Sequence, residues 1–229
     1  MKKFLKATAM LLALAAMFTV AGCKTNADDN GLPGHWSSVT AYQTPTDTRV
    51  AGSGPNYTYT SSYAKAEDCF KDDAKAGTGD FYYSNFVLTS YDDEFTGFKA
   101  TASSTPVRSP YGFNFNMTYN ETTEKWKYYT LIIIDDAFKV NLSEGKESKT
   151  IIDWKEDDAI KPAAQGNTIT VYTEKDSSIA IMINNKIVGV IRNPEVKSGY
   201  CGIIGAITYE EYTTQVPTVS KYKFIEFQY

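Results

Sequence analysis

Alternation with a period of two dominates this chain. It is clearest over Tyr111-Gly112-Phe113-Asn114-Phe115-Asn116-Met117-Thr118-Tyr119, where each odd position is apolar or aromatic and each even one small or polar. Successive side chains of a strand point to opposite faces. The run therefore predicts a strand with Phe113, Phe115 and Met117 on a core face and Asn114 and Asn116 turned to solvent or to a ligand. Runs rich in Ile, Val, Tyr, Phe and Thr predict further strands over 81–89, 127–134, 137–142, 149–153, 167–173, 178–184, 186–191, 200–209 and 221–228. Asn184-Asn185-Lys186 reads as a tight hairpin turn, because Asn tolerates positive φ; Asp135-Asp136 and Asn193-Pro194 punctuate neighbouring strands. Only 62–75 has helical character, and Gly52-Ser53-Gly54-Pro55 reads as a loop. So many short strands with so little helix predict an all-β fold, a two-sheet antiparallel sandwich.

The order of the elements sharpens that expectation. An aromatic strand, Tyr83-Ser84-Asn85-Phe86-Val87-Leu88, is followed by Tyr111-Gly112-Phe113 and by Tyr128-Tyr129-Thr130-Leu131-Ile132-Ile133, which runs into Phe138-Lys139-Val140. Trp154 comes next, then Gly166-Asn167-Thr168-Ile169-Thr170-Val171 and the hairpin Ile181-Met182-Ile183-Asn184-Asn185-Lys186-Ile187-Val188. Gly199-Tyr200-Cys201-Gly202-Ile203-Ile204 and Tyr222-Lys223-Phe224-Ile225-Glu226-Phe227 close the series. Over residues 80–229 this succession resembles the concanavalin A-like group of jelly rolls, which includes laminin-G-like modules and sugar-associated domains of bacterial exported proteins. The resemblance implies a jelly-roll sandwich and leaves function open, since that fold hosts enzymes, lectins and adhesion modules. It does not place 37–79.

The N-terminus follows a different pattern. Lys2, Lys3 and Lys6 precede an almost wholly apolar stretch from Ala7 to Val20, and Thr19-Val20-Ala21-Gly22 leads directly to Cys23. The stretch ends in small residues and is shorter than the roughly 20 apolar residues a membrane-crossing helix needs. These residues resemble the lipobox of bacterial lipoproteins, which implies a signal peptide over 1–22 and a lipidated Cys23 as the mature N-terminus. The alternative is an ordinary cleaved secretory signal followed by a chance cysteine. Several acyl chains such as palmitate, at about 0.8 kcal/mol per buried methylene, would hold the protein on a membrane essentially permanently. Residues 23–36 are rich in Asn, Asp, Gly, Thr and Pro and read as a flexible tether, leaving 37–229 as one β-sandwich domain. The expected location is the bacterial cell envelope, on the exported side of a membrane.

Charge narrows the partners. The chain has 23 Lys and Arg against 27 Asp and Glu; removing 1–22 takes away three lysines and no acids, so the formal charge moves from -4 to -7. An acidic chain without a basic cluster argues against nucleic acid and leaves the lipid anchor as the membrane contact. Besides Cys23, Cys69 and Cys201 form a candidate disulfide pair; the other reading is two buried thiols.

Catalytic sets are hard to assemble. Jelly-roll glycosidases carry Glu-x-Asp-x-x-Glu, which supplies two carboxylates on one strand face, and this sequence lacks it. Asp92-Asp93-Glu94, Glu156-Asp157-Asp158 and Glu210-Glu211 are runs of neighbours whose side chains diverge at strand ends or turns. His35 is the only histidine, and no Cys/His cluster suits zinc. No catalytic residues and no metal ligands are therefore assigned, and no cofactor is expected beyond a structural calcium recruited by Asp92, Asp93 or Asp157. An aromatic surplus remains, with 17 Tyr, 12 Phe and 3 Trp. Aromatic rings stack on the C–H faces of sugars while amides take the hydroxyls, so Trp126, Trp154, Asn114 and Asn116 are the candidate ligand-binding residues. The expected function is non-catalytic binding, of glycan ahead of protein. The alternatives are a glycoside-processing enzyme or its accessory subunit, and a protein-binding adhesin or structural lipoprotein.

Overall fold

The computed structural model describes residues 36–39, 49–53, 56–60, 81–88, 94–105, 110–214 and 216–228. The lipobox with Cys23, His35, Cys69, Asp92, Asp93 and the helical reading of 62–75 lie outside these residues.

The described chain is built from fourteen strands: β1 (Trp36–Val39), β2 (Arg49–Ser53), β3 (Asn56–Thr60), β4 (Phe81–Leu88), β5 (Gly97–Ser104), β6 (Tyr111–Asn120), β7 (Lys125–Ile134), β8 (Ala137–Glu144), β9 (Glu147–Glu156), β10 (Asn167–Thr173), β11 (Ile179–Ile183), β12 (Lys186–Ile191), β13 (Tyr200–Thr208) and β14 (Val219–Gln228). One short helix, α1 (Tyr209–Thr214), and a 3-10 turn at Ala163–Gln165 interrupt them. The strands form two antiparallel seven-stranded sheets. The first runs β1-β4-β13-β6-β7-β8-β9 and the second β12-β11-β10-β5-β14-β3-β2.

Where alternation and turn residues coincide, the structure follows the sequence closely. β10 and β12 occupy the predicted residues, and the turn between β11 and β12 has Asn184 and Asn185 at φ 49° and 69°, the left-handed conformation a tight hairpin needs. Four strands were not predicted: β1, β2, β3 and β5. Gly52 and Ser53, read as loop, end β2. α1 was likewise not anticipated.

The core lies between the sheets. Tyr111, Phe113 and Phe115 of β6 and Tyr129, Leu131 and Ile133 of β7 meet Phe98 of β5, Ile169 and Val171 of β10, and Tyr222 and Phe224 of β14. Phe113 is the hub, with ring centres 5.1 Å from Phe98, 5.4 Å from Tyr222 and 5.8 Å from Phe224, the latter two edge-on. Edge-to-face rings add about 0.5–1.5 kcal/mol each to the area they bury. Cys201 of β13 sits in this core as a free thiol, and burial raises its pKa, so it packs as a small apolar side chain. Its candidate partner Cys69 lies outside the described residues.

A pair of amides, Asn167 buried and Asn184 half-buried, pins the 157–166 loop to the second sheet. Asn167 Nδ2 donates to Tyr111 Oη at 2.7 Å and to the Lys161 carbonyl at 2.9 Å, while its Oδ1 accepts from Lys161 N at 2.9 Å and from Asn184 Nδ2 at 2.6 Å. Asn184 Nδ2 also donates to the Ala159 carbonyl, and its Oδ1 accepts from Thr168 N. Two side chains thereby give the irregular loop the backbone partners a strand would have supplied.

Buried phenols make the domain alkali-sensitive. Burial pushes Tyr111 from the ordinary 10.0 to about 12, opposed by its Asn167 hydrogen bond, and burial raises Tyr222 as well. An acid whose pKa is higher folded than unfolded keeps its proton longer in the native state. Its stabilising contribution is complete below pH 10 and is lost as the pH climbs through the folded value. At about 1.4 kcal/mol per pKa unit, Tyr111 alone should cost roughly 2–3 kcal/mol by pH 12. Urea titrations at pH 8, 10 and 11 should show stability falling with rising pH, from about 9 for the buried Cys201 thiol and from 10 for the phenols, with a shallower fall above pH 10 in Tyr111→Phe. An identical slope in that variant would assign the loss elsewhere.

Candidate functional site

The outer face of the first sheet carries the candidate residues, and a bulge in β6 determines which ones. The register between β6 and β7 shifts between Phe115 and Thr118, and Asn116 takes a φ of 50°, which Asn tolerates better than most residues. The extra residue reverses the phase of the strand. Tyr111, Phe113 and Phe115 face the core, whereas Met117 joins Val87, Trp126 and Tyr128 in a second, smaller apolar cluster on the outer side, packed by Tyr119 and Tyr200.

Three expectations are corrected by this geometry. Met117 does not share the Phe113 face. Asn114 is fully buried rather than turned to solvent: its Nδ2 donates to the Ile203 carbonyl at 3.2 Å, and its Oδ1 accepts from Thr130 Oγ1 at 2.8 Å. Asn116 is buried as well, donating to the Val196 carbonyl at 3.1 Å, so it fastens the bulge to the 192–199 segment. Perfect alternation on β6 concealed both the bulge and the fact that its outer face is covered.

The two tryptophans share the outer face but not a location. Trp126 lies at the beginning of β7, 5.4 Å from Tyr119 and 6.4 Å from Tyr200 between ring centres, and only 7% exposed. The half-buried rings of Tyr119 and Tyr200 form the accessible part of that cluster. Trp154, on edge strand β9, is 42% exposed. Its neighbour Lys139 aligns with Ile132, six residues along β7 from Trp126, which separates the tryptophans by roughly 20 Å at about 3.3 Å per residue.

Between them runs a polar row, Gly202, Asn114, Thr130, Asn141 and Thr150, in register across β13, β6, β7, β8 and β9. At the edge, Lys139 Nζ stands 6.0 Å from the centre of the Trp154 ring and 3.4 Å from Asp153 Oδ1. The Trp154 N–H donates to the same oxygen at 2.9 Å, and this bond, followed by Lys139, holds the Asp153 carboxyl below its ordinary range. Tyr119, Tyr200, Asn141 and Lys139 were not singled out from the sequence. Their shared face depends on the bulge and on strand order.

Carboxylates are scarce here. Strands β4, β6, β7 and β13 contain no Asp or Glu, and β8 has only Glu144, ion-paired with Lys127 at 3.1 Å. Lys127 also reaches Glu195 at 2.9 Å, and this contact depresses the Glu195 pKa. Of the calcium candidates, Asp157 commits Oδ1 to the Ala159 N–H at 3.0 Å and to Lys186 at 2.9 Å; Lys186 also contacts Asp158. The described residues contain no group of three Asp, Glu, His or Cys side chains placed to hold a metal. Glu94 accepts from Ser198 Oγ at 2.9 Å, and Glu210-Glu211 falls in α1.

No protein-family model matches the chain, and no curated protein sequence matches it. Solved structures do match in fold. A prokaryotic β-1,3-1,4-glucanase (lichenase) derived from a mouse hindgut metagenome superposes with a TM-score of 0.53 at 10% identity, covering 86% of this chain and 94% of that one. The Bacillus licheniformis β-glucanase gives 0.52 at 12% identity, over 85% and 92%. A structure described as a native glycosidic hydrolase gives 0.53 at 13%, over 84% and 89%. The fold is thus the concanavalin A-like jelly roll that the order of strands anticipated.

Proposed function

We propose that the outer face of the first sheet binds glycan without cleaving it, and that the domain works from a membrane surface, held by acyl chains on Cys23. The observation that carries the binding reading is the composition of that face. Tyr119, Tyr200 and Trp154 offer rings for C–H stacking, and Asn141 and Lys139 offer polar groups for hydroxyls. Glycosidase chemistry needs two carboxyl groups roughly 5–10 Å apart, and the five strands β4, β13, β6, β7 and β8 carry the single, ion-paired Glu144. The fold's similarity to enzymes named as glucanases supports a glycan as ligand, while the absence of Asp and Glu from β4, β13, β6 and β7 supports loss of their chemistry. The acidic balance of the chain supports a partner other than nucleic acid. No resident cofactor is needed for such binding.

A soluble form starting at Lys24 should bind at least one polysaccharide saturably on a glycan array and in pull-downs. The Tyr119→Ala/Tyr200→Ala variant should bind at least tenfold more weakly, and no reducing sugar should appear on incubation. Release of reducing ends would restore the enzyme reading. Absence of binding by folded protein would favour a protein ligand, to which exposed Ile187 and Val190 on edge strand β12 already give some support. For the anchor, full-length protein should enter the detergent phase and Cys23→Ser should stay in the aqueous phase; equal partitioning would remove the lipid.

A further inference from the structure

The geometry points to a self-contained subsite for an uncharged pyranose ring at the β8–β9 edge, formed by Trp154, Lys139, Asp153 and Asn141; it rests on the glycan reading above. Trp154 is one of few large apolar side chains in the described residues with over two-fifths of its surface open, and it stands beside a tethered pair: its backbone N–H donates to Asp153 Oδ1, Asp153 is ion-paired with Lys139, and Lys139 Nζ lies 6.0 Å from the centre of its ring. An open ring flanked by held polar groups gives a sugar a C–H stacking face with hydroxyl partners at its rim. The register between β8 and β9 is irregular around Phe138, Val140 and Asn141, and this departure brings Asp153 and Trp154 alongside Lys139.

Asn141 supplies the second, independent observation. It lies two residues from Lys139 on the same face of β8, about 7 Å away. Its Oδ1 is sheltered from water and has no hydrogen-bond partner. Its row neighbours Thr130 and Asn114 satisfy each other and leave that oxygen unmatched. An unmatched amide oxygen costs stability, so the position favours any ligand donor that satisfies it after a turn about χ2. A sugar hydroxyl is such a donor.

Charge selects the ring. Lys139 and Asp153 neutralise each other, so the corner carries no net charge, while the chain without residues 1–22 stands at -7. A hexuronate would meet repulsion, since among the described residues Lys139 is paired with Asp153 and the neighbouring Lys155 is turned to the Val188 carbonyl; a neutral hexose meets a ring, an amide and two charged groups able to bond its hydroxyls.

The test is calorimetric titration of the detergent-solubilised full-length protein with a neutral β-glucan tetrasaccharide and with a hexuronate tetrasaccharide. The neutral ligand should bind at least tenfold more tightly than the charged one. Trp154→Ala and Asn141→Ala should each weaken it about tenfold or more, and Trp154→Phe should recover part of the loss, with circular dichroism of each variant unchanged. If binding is lost in Tyr119→Ala/Tyr200→Ala but unchanged in Trp154→Ala and Asn141→Ala, the subsite is wrong and the glycan-binding face stands. Preference for the hexuronate would overturn the neutral specificity. Failure of every glycan, in these titrations and on the array, would overturn both readings together.

Discussion

Gly205→Ala will destabilise the domain by about 3 kcal/mol or more, at the upper end of what overpacking costs. Gly205 lies on the core side of β13, and a Cβ there would fall inside the ring of Tyr59 from the opposite sheet, far closer than van der Waals contact allows. Tyr59 is fully buried and leans edge-on against Phe86 at 5.9 Å, so the ring has no free space to retreat into. The missing side chain of one sheet is the socket for a large one of the other. For a domain of this size, about 3 kcal/mol should lower the melting temperature by roughly 6–12 °C, measurable by calorimetry. The decisive comparison is Gly205→Ala combined with Tyr59→Leu. If the clash is the cause, the double variant should be more stable than the sum of the separate losses requires. Strict additivity would mean that the alanine acts through the strand's backbone.

Asn167→Ala should cost about 3 kcal/mol, through hydrogen bonding rather than volume. The substitution removes four side-chain hydrogen bonds and strands the buried hydroxyl of Tyr111 together with both backbone groups of Lys161. Each orphaned buried group costs on the order of 1–3 kcal/mol, and the loop regains water on part of its surface, which limits the sum. Amide hydrogen exchange should show where the loss falls: residues 157–166 should lose protection while β6 and β7 keep theirs. Adding Tyr111→Phe to Asn167→Ala should cost much less than Tyr111→Phe alone, since the hydroxyl's partner has already gone. Equal costs in both backgrounds would dissolve the proposed coupling.

The sequence made strands legible where alternation, β-branched residues and turn-formers agree, as at β10, the Asn184-Asn185 turn and β12. It hid β5, Gly-Phe-Lys-Ala-Thr-Ala-Ser-Ser, because close approach to the aromatic core calls for Ala100 and Ala102 where a large apolar residue would have advertised a buried face. β2 and β3 were masked by Gly, Ser, Thr and Pro, although Val50, Tyr57 and Tyr59 are core residues. The site was less legible than the fold for one reason: which face of a strand is open depends on residues far away in sequence. Asn114 and Asn116 alternate with phenylalanines as solvent-facing residues would, and both are buried. Trp126 has the chemistry of a stacking platform but is covered by its neighbours, whereas Tyr119 and Tyr200, ordinary in sequence, reach the surface because a bulge and a neighbouring strand bring them together.

The position of β14 sets a timetable for assembly. It is laid between β3 and β5, with Ser220 meeting Ser104 across 116 positions of chain. Until it arrives, the second sheet is two separate pieces, β12-β11-β10-β5 and β3-β2. β13 likewise joins β4 to β6 in the first sheet. Both sandwich halves are thus completed by late strands whose contacts span most of the described chain, the arrangement that folds slowly. A polypeptide emerging from the ribosome cannot lock into its final shape before those strands are free. The order of the strands thus delays closure of both sheets until β13 and β14 are made, at the cost of open strand edges that invite aggregation meanwhile.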